Sequence, residues 1–193
     1  MKSLLLSLVL VVCLTAGANA HQGMLALFAD TNNRECHTAL GVGQIGNLYL
    51  MYVRGDGPRM GRAYEFELLR STPNVVFLTP VWPATIVLTL GTIETGISLS
   101  NGSDCFPNQD YVPLGTIPVM NVADPDTFTV KVVAASDEVD HRLLITLCNP
   151  PNAAYVVLGG MFVFNAGCYS PQDPYGVIAT KPTTWGAVKE LYR

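Results

Sequence analysis

The chain has little charge and lacks the short motifs that mark many catalytic and nucleic-acid-binding proteins. Only 13% of its 193 residues are charged, the formal net charge is −4, and the basic residues form no cluster. This distribution argues against nucleic acid or an anionic membrane surface as the partner. There is no P-loop, and Gly96–Ser100 lacks the second glycine of a G-x-S-x-G nucleophile elbow. We therefore expect a non-enzymatic protein that needs no cofactor.

Long apolar runs are also missing beyond the N-terminus, so no transmembrane segment is expected in the mature chain. Residues 1–20 have the organisation of a signal peptide, with Lys2, the apolar run Leu4–Leu14 and the small-x-small site Ala18-Asn19-Ala20. Cleavage after Ala20 would leave His21 first, and cleavage after Ala18 would leave Asn19 first. We predict export, with the mature protein secreted, periplasmic or at the cell surface.

Cysteine spacing excludes a thioredoxin-type or zinc-ribbon site, because no C-x-x-C pair is present. Four cysteines follow the signal peptide: Cys36, Cys105, Cys148 and Cys168. An even number in an exported chain predicts two disulfides, for which three connectivities are open.

Residues 21–168 consist of short apolar runs separated by turn residues, with no pattern of a long amphipathic helix between them. Val, Ile, Thr, Tyr and Phe dominate these runs, which is typical of strands. The predicted strands are Met24–Ala29, Asn47–Val53, Ala63–Leu69, Asn74–Leu78, Thr85–Leu90, Gly96–Ser100, Val112–Met120, Thr127–Ala134, Arg142–Cys148 and Tyr155–Phe164. This pattern predicts one all-β domain, an antiparallel β-sandwich.

Two of these runs say more about their surroundings. Thr127–Ala134 alternates with a period of two, which predicts one buried and one exposed face. Asn47–Val53 is apolar on both faces. We expect it to be a central strand that is covered on both sides.

The C-terminal part has a different composition. Residues 169–184 contain three prolines and are predicted to be a surface linker. Residues 185–193 place Trp185, Val188 and Tyr192 on one face of a short helix. Because nine residues do not hold a helix alone in water, this stretch either docks on the sandwich or is read by a sorting or anchoring partner.

His21 raises a copper hypothesis. An N-terminal histidine offers copper both an α-amine and an imidazole nitrogen, and a second histidine completes the site. His37 and His141 are the only candidates for that second ligand. The alternative is that His21 is simply the first residue left by signal-peptide cleavage.

Two further motifs have both a functional and a simpler interpretation. Arg54-Gly55-Asp56 is the tripeptide read by adhesion receptors, but a Gly/Asp turn between strands needs no receptor. Glu65 and Glu67 lie two apart on one predicted strand, hence on one face. Paired carboxylates serve glycoside hydrolysis, although a solvated sheet face explains them as well.

Carbohydrate binding would require exposed aromatic side chains in a row. The candidates are Tyr49, Tyr52, Tyr64 and Trp82, for which core packing is the competing explanation.

Several segments together resemble a group of uncharacterised exported bacterial proteins with an immunoglobulin-like or cohesin-like sandwich. They are Q-G-M-L-A-L-F-A-D followed by Cys36, R-A-Y-E-F-E-L, T-G-I-S-L-S followed by Cys105, the late cysteines Cys148 and Cys168, and the tail T-W-G-A-V-K-E-L-Y-R. The resemblance implies this fold and an exported location, and cohesin-like sandwiches are typically binding modules. It also favours pairing Cys105 with Cys148 and Cys36 with Cys168.

These observations predict an exported, non-enzymatic β-sandwich that acts as a binding, adhesion or envelope-surface module. Its partner would be a protein or a carbohydrate. The alternative is a copper-dependent polysaccharide oxygenase or copper carrier that uses His21.

Overall fold

A computed structural model describes residues 23–55, 61–123, 126–136, 142–149, 151 and 153–166. These residues form an all-β structure, and none of them lies in a helix. The strands are β1 Met24–Phe28, β2 His37–Thr38, β3 Ile45–Val53, β4 Gly61–Arg70, β5 Val75–Phe77, β6 Leu88–Thr92, β7 Gly96–Ser100, β8 Tyr111–Asn121, β9 Phe128–Val133, β10 Leu144–Leu147, β11 Ala154–Val156, β12 Leu158–Gly159 and β13 Met161–Phe164. The predicted signal peptide, linker and C-terminal helix lie outside the described residues.

The strands form two sheets. The smaller sheet has the order β12-β1-β3-β8-β5. In the larger sheet β4 is central. On one side it pairs with β7, which pairs with β6. On the other side it pairs with β10 and β9; β10 pairs with β11, while β9 pairs with β13, which in turn pairs with β2. The prediction of a purely antiparallel arrangement is wrong at two places, because β1 pairs with β12 and β2 pairs with β13 in parallel.

Strands β9 and β10 act as one interrupted strand. Both pair with β4, where Val133 lies opposite Glu67 and Leu144 lies opposite Glu65. The chain segment between them leaves the sheet and returns to the same edge of β4. The two strands predicted for this region are therefore correctly placed in the sequence, but in the sheet they lie one after the other along the same edge of β4.

The predicted single strand Tyr155–Phe164 is divided into three, because its middle turns toward the other sheet. β11 pairs with β10, β12 pairs with β1, and β13 pairs with β9. At the crossing, Gly160 N–H donates to Leu25 O at 2.7 Å in the smaller sheet, and Val132 N–H in the larger sheet donates to Gly160 O at 2.9 Å. We call Leu158–Gly160 the crossover, since it joins the two sheets along one side.

The main core lies between the sheets and follows the alternation of each strand. Phe128, Val130 and Val132 face inward from β9 while Lys131 is exposed, which confirms the period of two. One aromatic cluster contains Tyr52, Tyr64 and Phe106, with ring centroids 5.6 and 4.9 Å apart, and another contains Phe128, Phe162 and Phe164. The inward face of every long strand thus contributes large side chains to one continuous core.

The hydroxyl of Tyr64 is buried in this core without a hydrogen-bond partner. Burial raises the pKa of Tyr64 far above its usual range, and neighbouring Tyr52 adds to the shift. We expect Tyr64→Phe to leave the free energy of unfolding unchanged or to raise it by about 1 kcal/mol, because an unsatisfied buried hydroxyl is removed. Tyr64→Ala, which removes the ring as well, should lower it by about 3–5 kcal/mol. Urea unfolding of both variants tests this, and a Tyr64→Phe variant that loses more than 1 kcal/mol would contradict it.

Strand β1 is buried on both faces. In β3, the burial on both faces expected for Asn47–Val53 is confirmed for Leu50–Val53 only, because Asn47 is exposed and Tyr49 is half-buried. Leu25 and Leu27 of β1 enter the main core, whereas Met24, Ala26 and Phe28 point to the opposite side of the smaller sheet. With Met51 and Val53 of β3 they form a separate buried group, which we call the second cluster.

One disulfide joins Cys105 to Cys148, with Cα atoms 6.0 Å apart, as the resemblance implied. It connects the loop after β7 to the end of β10. Cys36 is also disulfide-bonded, while Cys168, its expected partner, lies outside the described residues.

Candidate functional site

The outward side of the larger sheet presents a broad surface, which we call the β4 face. Register places its residues in rows across neighbouring strands, so that Leu90, Ser98, Glu65, Leu144 and Val156 follow one another from β6 to β11. The other members are Leu88, Ser100, Ala63, Thr146 and Ala154 in the next row, and Glu67, Val133, Leu69, Lys131 and Met161 toward the end of β4. The members of the β4 face come from seven strands in five side-by-side positions, because β9 and β10 follow one another along β4, with β13 and β11 beside them.

Large apolar side chains stand exposed on this surface. The exposed fractions are 52% for Leu69, 48% for Leu88, 57% for Leu90 and 40% for Met161. The β4 face also contains half-buried Leu144, Val133 and Val156. Clustered exposure of this kind is uncommon on a monomer surface and marks interaction sites.

Strand β6 forms one border of the β4 face, and all five of its residues are exposed. It contains no charged residue or proline, the devices that commonly protect an edge strand from pairing. Its Gly91 has φ +83°, and a Cβ there would lie 2.2 Å from the carbonyl oxygen of Gly96. The glycine therefore allows the tight hairpin that holds β6 against β7.

Hydrogen bonds fix the loops around the β4 face. Glu67 accepts a hydrogen bond from Ser136 N–H at 2.9 Å, and the Ser136 hydroxyl donates to Thr95 O at 3.1 Å. Arg70 at the end of β4 pairs with Glu94 at 2.9 Å. The surface is thus braced at the β6–β7 turn, which favours a preformed site.

The two carboxylates singled out from sequence, Glu65 and Glu67, lie on one face of β4, as predicted. They belong to a flat sheet surface in which Glu67 fixes a loop. The surrounding geometry favours the interpretation as a polar part of a sheet face over glycoside hydrolysis.

The aromatic candidates for carbohydrate binding separate into two pairs. Tyr52 and Tyr64 are buried in the main core, which favours core packing, the competing explanation, over carbohydrate binding. Tyr49 and Trp82 do meet, beside Pro113, in a shallow groove of about 280 Å³. The Trp82 ring occupies the space left by Gly115, where a Cβ would lie 2.3 Å from it, so Trp82 has a packing role.

Arg54 of the tripeptide Arg54-Gly55-Asp56 is held within the fold. Its guanidinium forms an ion pair with the Asp110 carboxylate at 2.8 Å, and its backbone N–H donates to the backbone carbonyl oxygen of Asp110 at 2.9 Å. Gly55 has φ +54°, which fits the predicted turn. Asp56 lies outside the described residues.

The described residues contain no group of three or more His, Cys, Asp or Glu side chains placed to hold a metal. His37 lies on β2, while His21 and His141 lie outside this part of the chain. The stretch Gly41–Gly46 has the spacing G-x-G-x-x-G, but it leads into strand β3 and not into a helix, as a dinucleotide-binding loop would. Trp185, Val188 and Tyr192 also lie outside the described residues.

Among the described residues, no helix has the length and apolar character needed to cross a bilayer.

The fold defined by these strands is a cohesin-like β-sandwich. The chain is similar to the cohesin module of a family 33 glycoside hydrolase from Clostridium perfringens, with a TM-score of 0.54 and 7% identity over 74% of this chain and 96% of that module. It is also similar to a non-cellulosomal cohesin from Archaeoglobus fulgidus, with a TM-score of 0.47 and 6% identity over 75% and 92% of the two chains. A third similar structure is a type I cohesin–dockerin complex from Clostridium thermocellum, with a TM-score of 0.47 and 6% identity over 74% of this chain and 92% of that chain. No protein-family model and no curated protein sequence matches the chain.

Sequence reasoning missed the apolar members of the β4 face. Leu88 and Leu90 alternate with Thr89, a pattern that predicts a half-buried strand and not an exposed one. The signal that could have found them is the absence of charge across the whole of Thr85–Thr92.

Proposed function

We propose that the protein is an exported, non-catalytic protein-binding module whose binding surface is the β4 face. The observation that carries the proposal is the exposure of four large apolar side chains on one braced sheet, with Leu88 and Leu90 at its β6 end and Leu69 and Met161 toward the end of β4. The cohesin-like fold and the signal-peptide pattern of residues 1–20 support it.

The dimensions of the β4 face suit a protein partner better than a small molecule. Five side-by-side strand positions at about 4.8 Å spacing and a length of roughly 20 Å along β4 give an area of roughly 400 Å². This is about half of what each partner contributes to a standard interface. A small ligand prefers a concave pocket, whereas this surface is an open sheet.

The chemistry of the β4 face indicates what the partner should present. Apolar side chains occupy both ends of the face, and the charged members are Glu65, Glu67 and Lys131. We expect a partner with basic side chains at the centre of its contact surface and apolar side chains on either side, because Glu65 and Glu67 lie between the two apolar ends of the β4 face.

A charge at the apolar β6 end of the β4 face should disrupt binding. We expect Leu90→Glu to weaken binding of the partner at least tenfold, because a carboxylate would be desolvated in the contact. Ile45→Glu is the matched control, since Ile45 is 61% exposed on the other sheet. Partners retained by the immobilised mature protein from the surrounding secreted proteins would be identified, and their Kd for each variant measured by calorimetry.

Binding measurements on the two variants can also show that the partner does not use the β4 face. A partner whose Kd is the same for wild type and Leu90→Glu, or is raised equally by Ile45→Glu, does not use the β4 face. Both variants should keep the unfolding midpoint of the wild type, because both positions are exposed.

A further inference from the structure

The edge strands of the two sheets differ in length. Among the described residues, β12 and β5 are the edges of the smaller sheet, and β6, β11 and β2 are edges of the larger sheet. β12 and β2 have two residues each, whereas β5 and β11 have three. Very short edge strands offer few backbone groups to another chain, which is one way in which proteins prevent edges from pairing. β6, with five residues, is the longest of these edges.

The other protective features of an edge are also missing from β6. Along one side β6 pairs with β7, and the described residues supply no strand for its other side. An edge strand presents a row of unpaired N–H and C=O groups on that side. Charged residues and proline, which protect many natural edges, are absent from Thr85–Thr92. β6 is therefore suited to pairing with a further strand.

β6 also extends beyond the cover of the sandwich. Thr89 lies opposite Leu99 of the main core, so its side chain points to the inward side of the larger sheet. Thr89 is nevertheless exposed, like the rest of β6. Val87, the residue before β6, is 68% exposed. The smaller sheet therefore does not obstruct a strand that approaches the free edge of β6.

We propose that β6 pairs with β6 of a second copy of this chain, antiparallel and about a two-fold axis at Leu90. Full overlap of the five residues produces three kinds of opposed pair, which are Leu90 with Leu90, Leu88 with Thr92, and Thr89 with Gly91. A two-fold contact requires a surface that is compatible with itself. β6 meets this requirement, because two leucines meet at the centre and no like charges face each other.

The chain after β6 limits the overlap to this register. Ile93 turns toward β4, where its carbonyl oxygen accepts a hydrogen bond from Leu68 N–H at 2.6 Å. Glu94 pairs with Arg70 at 2.9 Å, so its charge is balanced within the same copy. The free edge therefore ends at Thr92. An edge that ends there is fully paired only when Leu90 is at the centre.

The size of the contact determines how strong the dimer should be. One strand from each copy buries less than the roughly 1,600 Å² of a standard interface. We therefore expect a reversible dimer whose population depends on concentration. The backbone of β6 makes the contact, and the outward sides of Leu88 and Leu90 stay free, so this pairing does not depend on partner binding at the β4 face.

Sedimentation velocity of the mature full chain between about 5 and about 500 μM tests the pairing, and we expect the dimer to form toward the upper concentration. Thr89→Lys should weaken it at least tenfold, because the two lysines would lie on one side of the joined strands, diagonal to each other. Thr127→Lys is the matched control, since Thr127 is exposed just before β9, a strand that is paired on both edges. Thr89 points away from the β4 face, so loss of the dimer can be distinguished from loss of partner binding.

Single cysteines test the register independently. A short reagent with two thiol-reactive groups should join two Leu90→Cys chains at least tenfold faster than two Ile45→Cys chains. Residue 90 of one copy faces residue 90 of the other, whereas Ile45 is exposed on the other sheet. The unfolding midpoint reports that each variant is folded.

Three results would overturn the pairing. The first is a mature chain that stays monomeric over the whole concentration range. The second is a dimer that Thr89→Lys leaves intact or that Thr127→Lys weakens equally, since such a dimer uses another surface. The third is an equal cross-linking rate for Leu90→Cys and Ile45→Cys.

Discussion

Replacing Cys105 and Cys148 together by alanine is expected to lower the free energy of unfolding by roughly 4 kcal/mol. The two cysteines are 43 residues apart in sequence, and a cross-link that closes a loop of this length restricts the unfolded chain by about that amount. For a domain of this size such a loss is a large fraction of the total stability.

The folded state should also change locally. The disulfide anchors the loop after β7, from which Phe106 N–H donates to Gly61 O at 2.9 Å at the start of β4. Without the bond this loop should show faster amide hydrogen exchange, beginning at Phe106. The middle of β4, Ala63–Glu65, which is paired on both edges, should exchange at its former rate.

Urea unfolding of the double variant measures the effect. Wild type with its disulfides reduced should also lose stability, by at least as much as the double variant. A double variant that loses less than 1 kcal/mol would contradict the expectation, because the loop-closure contribution would then be absent.

Gly159→Ala is expected to lower the free energy of unfolding by about 3 kcal/mol. A Cβ at residue 159 would lie 1.9 Å from the carbonyl oxygen of Val132, so backbone must move at the crossover. That movement would also strain the hydrogen bonds that Gly160 makes to Leu25 and Val132, which join the two sheets.

Gly43→Ala provides the matched control. Gly43 has φ +75°, but no atom lies within 4 Å of the position that its Cβ would take. We expect a loss of about 1 kcal/mol there, from backbone conformation alone. Thermal or urea unfolding distinguishes the two variants, and equal losses would show that close packing at Gly159 contributes nothing.

Much of the fold follows from local pattern, while the pairing between strands does not. The period of two in β9 and the burial on both faces at the end of β3 can be predicted, because the polarity of each side chain indicates whether its face is covered. The division of Tyr155–Phe164 into three strands cannot be predicted, since alternation does not indicate which sheet a residue joins. The two-residue strand β2 is too short to produce any pattern.

The candidate site shows the same division. The common face of Glu65 and Glu67 follows from their spacing on one strand. The pairing of Leu90 with Ser98 is local, within the β6–β7 hairpin, whereas the approach of Met161 to Leu69 across β9 depends on long-range pairing, which one sequence does not encode locally. Composition does not reveal which aromatic residues point inward, so the sequence leaves both interpretations of Tyr52 and Tyr64 open, and their burial favours core packing.

The crossover also determines which strand pairing can form only late in folding. β1 pairs with β3 along one edge, but its other edge pairs with β12, so residue 24 finds this second neighbour only at residue 158. Contacts of such separation form late, and proteins rich in them fold slowly, on the scale of milliseconds to seconds. A chain emerging from the ribosome therefore stays open until nearly the whole domain has been made. This long-lived open state is what the export that we propose for this protein would require.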